Sequence, residues 1–131
     1  MKTIKIAEKE YQIDCNALTY VKYKDFFKEG ILQAVGRVQN YLIKQAIAMQ
    51  SAEDTKAVDK TGYVEEIMKD DVDDFIITIT KLAWIFIYTA NHKIEDYEKW
   101  LEGIQDFNIA EDWIIEVTNF AIDCFRGSGR K

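Results

Sequence analysis

The chain has no proline in its 131 residues, which removes the commonest helix breaker and the residue of rigid linkers, and makes a helix-rich chain the natural reading. Histidine is nearly missing as well. With His92 alone, neither a two-histidine zinc arrangement nor a histidine-based triad can be assembled, and its expected role is to cap a helix end beside Asn91. Serine occurs only as Ser51 and Ser128, both in polar stretches and neither in a nucleophile elbow. The glycines form no phosphate loop, since GSGR near the end has no strand before it and no helix after it. Basic excess is absent too: a net charge of -6 argues against nucleic-acid binding, which draws on a cationic surface. The two cysteines, Cys15 and Cys124, lack metal-ligand spacing and follow no export signal, so they are expected as reduced, partly buried thiols of a cytoplasmic protein, not as disulfide partners. A membrane span is not expected, because the apolar run over 75–90 is short and carries Lys81 near its middle.

What the chain does have is a globular composition, with 48% hydrophobic and 31% charged residues. The pattern predicts a mainly α fold: an N-terminal β-hairpin and a bundle of about five helices, forming one domain over residues 1–125 with a flexible tail at 126–131. Ile4 and Ile6, then Tyr11 and Ile13, alternate with polar residues and predict strands near 2–7 and 10–14. Asp14 or Asn16 is the expected cap of a helix over 17–29 that stops at Gly30. A second helix is expected over 31–49, then a polar loop over 51–62 and a short helical turn over 63–68.

The run FIITITKLAWIFIYTA is apolar nearly all round and predicts a central helix over 71–90, with the acids of KDDVDD at its positive end. After the break at 91–93, Ile94, Tyr97, Trp100, Leu101 and Ile104 share one face of a short helix over 94–104, which ends at Gly103 and 106–108. The last helix, 110–125, should turn Trp113, Ile114, Val117, Phe120, Ala121 and Cys124 inward.

Few residues suggest catalysis. Asp70, Asp71, Asp73 and Asp74 lack the turn glycine, spacing and closing glutamate of an EF-hand loop and read as an acidic helix start. Asp112 with Glu116, and Glu95 with Glu98, have the spacing routine on any solvated helix face. No enzymatic activity, metal or cofactor is expected. The aromatic excess points elsewhere: Tyr20, Tyr23, Phe26, Phe27, Tyr41, Tyr88, Tyr97 and Trp100 would crowd so small a core, which suggests an exposed aromatic groove for a partner's helix or for self-association. Tyr88, Tyr97, Trp100 and Leu101 are the candidate partner-binding residues.

The opening KTIKIAEKEYQI and the later LAWIFIYTANHKIEDYEKWLEGI resemble the tail assembly chaperones of long-tailed bacteriophages and prophages of Gram-positive bacteria. The resemblance implies a protein that binds and solubilises the tape-measure protein, helps recruit tail-tube subunits, works in the cytoplasm of the bacterial host and is absent from the mature virion. It brings no catalytic motif. In many members a ribosomal frameshift appends a second domain, and the RGSGRK end is a compatible place for one. Two other classes stand beside it: a ring-forming phage structural protein such as a head-tail connector and, last, a metal-dependent nuclease using the four aspartates.

Overall fold

The computed structural model describes residues 1–54, 60–104 and 111–126. Strands β1 (Lys2–Ile6) and β2 (Lys9–Ile13) pair antiparallel, with Ile4 opposite Tyr11 and Ile6 opposite Lys9. Only Ala7 and Glu8 join them, both at positive φ (52° and 73°), the handedness a two-residue hairpin turn needs to match strand twist. The turn is therefore tighter than alternation alone predicts. Ile4, Ile6 and Ile13 are buried on one face of the hairpin, and the Asp14 amide donates to the Phe86 carbonyl, fixing the end of β2 to a helix far along the chain.

Helix α1 (Ala17–Phe27) is capped by Asn16, whose side chain accepts from the Leu18 amide while the Thr19 hydroxyl accepts from the Asn16 amide. Asp14 is not the cap; its carboxylate accepts from the Cys15 amide. The helix ends before Gly30, at Lys28, which takes the left-handed conformation (φ 61°) and donates its amide to the Lys24 carbonyl.

Helices α2 (Ile31–Asp54) and α3 (Lys60–Ala90) run antiparallel, since Arg37 meets Thr78 and, one turn on, Tyr41 stacks on Phe75 at 4.2 Å. Both exceed expectation. Residues 51–54 belong to α2 and 60–62 to α3, while 55–59 lie outside the described residues. The separate turn at 63–68 and the helix start near residue 71 are corrected as well: α3 is continuous from Lys60, so KDDVDD lies in its interior and not at its positive end. Extending an existing helix adds one hydrogen bond for each residue fixed, whereas nucleation is costly, so polar residues without proline continue a packed helix that their period alone would not reveal.

The second half of α3 is central. Ile79, Leu82, Ala83, Ile85 and Phe86 are buried, with the hairpin, α1, α2 and α5 packed around them. Its β-branched threonines keep their hydroxyls satisfied: Thr80 donates to the Ile77 carbonyl and Thr89 to that of Ile85. With its proton so committed, Thr89 accepts from Thr19 at 2.8 Å, a buried link between α1 and α3.

The chain turns over residues 91–96 before α4 (Tyr97–Glu102), which is shorter than the 94–104 pattern suggests and is capped by the Asp96 side chain on the Lys99 amide. The Asn91 side chain accepts from the Lys93 amide, and His92 does not cap but stacks on Tyr88 at 4.8 Å. Residues 105–110, with the expected helix stop at 106–108, lie outside the described residues, as does the tail at 127–131. Helix α5 (Asp112–Arg126) buries Trp113, Ile114, Val117 and Ala121 as its period predicts, and half-buried Phe120 packs edge-on against Phe86.

Cys124 departs from expectation: it forms a disulfide with Cys15. Because β2 is tied to α3 and α5 packs on the same helix, the two Cα atoms come within 6.7 Å, inside bridging range despite a sequence separation of 109. No helix among the described residues is long and apolar enough to cross a membrane.

Candidate protein-binding cleft

The last turn of α1 carries two adjacent phenylalanines, one of which must point away from the core. Phe27 packs on buried Tyr23 at 4.9 Å, and Phe26 is left 46% exposed. Trp84 and Tyr88, one turn apart on α3, share a face and stack at 5.4 Å with 22° between their planes. The turn after α3 and the first turn of α4 bring Ile94, Asp96, Tyr97 and Glu98 opposite them. Together these eight residues line a cleft of about 560 Å³.

The walls are fixed by hydrogen bonds as well as by packing. The Trp84 indole donates to the Glu95 carbonyl at 3.0 Å, tying the turn to the cleft floor. The Thr80 hydroxyl proton goes to the Ile77 carbonyl, so the Tyr97 hydroxyl donates to Thr80 at 2.7 Å. Burial raises the Tyr97 phenol above its ordinary value, only partly offset by the Thr80 bond. The rings meet mostly edge to face: Phe26 on Trp84 at 4.9 Å and on Tyr88 at 5.3 Å, and Phe27 on Tyr97 at 5.0 Å.

Behind Phe27 lies a polar brace joining three helices. Arg37 donates to Glu29 at 2.7 Å and to Thr78 at 2.7 Å, and the Tyr23 hydroxyl donates to Glu29 at 2.6 Å. Burial pushes the Glu29 carboxyl up, but hydrogen bonds from Arg37 and Tyr23 outweigh it and hold the group below its ordinary range. Tyr23 is raised strongly, by burial first and then by its bond to the Glu29 carboxylate. The Lys81 ammonium sits 5.4 Å from the centre of the Phe27 ring, within reach of a cation–π contact.

Of the expected partner-binding residues, Tyr88 and Tyr97 meet in this cleft and Trp100 and Leu101 do not line it. Trp100 is 1% exposed and packs edge-on against Tyr11 of the hairpin, with its indole nitrogen unpartnered among the described residues, and Leu101 packs partly buried against the core. Phe26, Phe27, Trp84 and Ile94 take their place; the Phe26–Phe27 doublet at a helix end and the four-residue spacing of Trp84 and Tyr88 were the available signals. Tyr23 and Tyr41 are core. Among the described residues no group of three or more His, Cys, Asp or Glu side chains could hold a metal ion. Asp73 and Asp74 are exposed along α3, and Glu98 and the capping Asp96 make the cleft rim acidic. The cleft can therefore bury apolar side chains and favour cationic neighbours. Comparison with protein-family models, with curated proteins and with solved structures finds no match.

Proposed function

We propose that the chain is a protein-binding assembly factor whose cleft takes the apolar face of a partner's helix. The observation that carries this is the preformed cleft, with aromatic walls held by the Trp84–Glu95 and Tyr97–Thr80 hydrogen bonds and a partly exposed Phe26 at its lip. Rigid aromatic rings offer contact area at little entropic cost, and the acidic rim prefers a helix whose apolar stripe is flanked by lysine or arginine. Following the resemblance of the two ends of the chain, the factor is a tail assembly chaperone. Its partner is the tape-measure protein, which it keeps soluble while tail-tube subunits are recruited, and it acts in the host cytoplasm without entering the virion.

The test is co-expression with the tape-measure protein encoded nearest downstream, followed by size-exclusion chromatography with light scattering. A co-eluting complex is expected, with the partner insoluble alone. Phe26→Ala should weaken that complex roughly tenfold or more while costing about 1–2 kcal/mol of folding stability through its edge contacts with Trp84 and Tyr88, which leaves the chain folded. A partner that stays insoluble, or a complex indifferent to Phe26→Ala, would sink this reading.

One observation favours the second reading, a ring-forming connector. Ile43 and Ile47 stand one turn apart on α2, both more than half exposed, and self-association would cover them. A defined ring eluting from the same column without any partner would move the assignment there.

A further inference from the structure

The hairpin carries a second surface that the aromatic cleft does not use. In a two-residue hairpin the residues flanking the turn, here Ile6 and Lys9, exchange hydrogen bonds with each other, and bonded and non-bonded pairs then alternate along the ladder. Lys2, Ile4 and Ile6 thus spend their backbone groups on β2, while the amides and carbonyls of Thr3 and Lys5 point outward along the free edge of β1. Among the described residues nothing pairs with that edge, since the sheet holds β1 and β2 alone. Such an edge presents unpaired groups that can template another strand, and β1, five residues long with Lys2 and Lys5, blunts it only in part by length and charge.

The edge opens into a cleft of about 610 Å³ between the hairpin and the start of α5, lined by Thr3, Ile4, Lys5 and Ala7 of the hairpin among others. Consecutive residues of one strand line the cleft, as expected where it meets the strand edge-on. The chemistry of its walls selects the occupant: Glu8, Glu10, Glu111, Asp112 and Glu116 set five carboxylates against the single ammonium of Lys5; Glu111 accepts from the Trp113 indole at 3.0 Å, and among the described residues no basic group is within ion-pair distance of the five. We propose that this edge is a docking site for an extended basic segment of another protein, which adds to β1 as a third strand through the outward groups of Thr3 and Lys5 and directs lysine or arginine side chains at the carboxylates. The site is separate from the aromatic cleft and does not depend on the function proposed for it.

The experiment uses the full chain, oxidised, and a synthetic hexapeptide of alternating lysine and threonine, followed by amide hydrogen exchange and chemical-shift titration. Slowed exchange at the Thr3 and Lys5 amides on adding peptide is expected. Glu111→Gln combined with Glu116→Gln should weaken binding roughly fivefold to tenfold, and raising the salt should act in the same sense. Thr3→Pro removes one outward donor without touching the β1–β2 ladder, as edge strands tolerate, and should abolish the protection at Lys5. If Thr3→Pro does not fold, the exchange data on the parent chain decide the matter. Charge-dependent binding without protection of Thr3 and Lys5, equal binding of an alternating glutamate and threonine peptide, or no binding at all would each overturn the proposal. So would protection already present in the dilute protein alone, which means the chain covers its own edge. Protection that grows with protein concentration would give the edge to a second copy, and protection by calcium alone would make the cleft a cation site.

Discussion

Lys28 holds a backbone conformation that its side chain makes costly: at φ 61° an L-residue sets its Cβ against the following carbonyl, a penalty glycine escapes. Lys28→Gly should therefore stabilise the protein by about 1 kcal/mol, read as a rise in the urea midpoint at unchanged slope. Trp100 makes the opposite case. Its ring fills the space under Tyr11, and Trp100→Ala should cost about 3–5 kcal/mol, whereas Trp100→Phe should cost much less, because it also removes an indole N–H that is buried without a partner among the described residues. Tyr97 and Trp100 are both aromatic, lie on the same face of α4 and are three residues apart, and the sequence distinguishes them no further. Their fates diverge because the first turn of α4 borders α1 and α3 while the next turn reaches the hairpin, a difference of tertiary placement that helical period cannot carry.

Between elements, the Tyr23–Glu29–Arg37–Thr78 brace makes stability depend on pH at both ends of the scale. Glu29 is lowered by folding, so its contribution is present above the unfolded carboxyl value and is lost as pH falls through the folded one. Tyr23 and Tyr97 are raised, so theirs is intact below the unfolded phenol value of about 10 and is lost as pH climbs beyond it. Urea unfolding from acid to alkaline pH should show a plateau between these limits. Glu29→Gln should flatten its acid shoulder, and Tyr23→Phe should flatten part of the alkaline one.

The elements themselves were legible to different degrees. Alternating isoleucines announce the hairpin, and the all-round apolar run of Phe75 to Ala90 announces the central helix, because burial on every side leaves that signature. The outer end of α2 beyond residue 50 and the start of α3 before residue 71 were not legible as parts of those helices. SAED and KTG are helical here as extensions of packed segments, and their polar composition reads locally as loop. The aromatic cleft was half legible: its tyrosines stand out, but the meeting of Phe26 with Trp84 joins residues 58 positions apart in the chain.

At the scale of the molecule, the Cys15–Cys124 bond closes nearly the whole chain into one loop. Constraining so long a loop in the unfolded state stabilises the folded one by up to about 4–5 kcal/mol, so dithiothreitol, or Cys15→Ser with Cys124→Ser, should lower the melting temperature markedly in side-by-side scans. A reducing cytoplasm would hold the same two thiols adjacent but unbridged, and the state found by alkylation of freshly lysed cells would report the compartment the protein works in. The bond also governs how the molecule would bear load. Tension applied at the two termini passes from β2 to the last turn of α5 through two sulfur atoms, and the helices between them carry none of it. Roughly 370 Å of chain, the extended length of the 109 intervening steps, would stay hidden from a pulling force until the bridge is reduced.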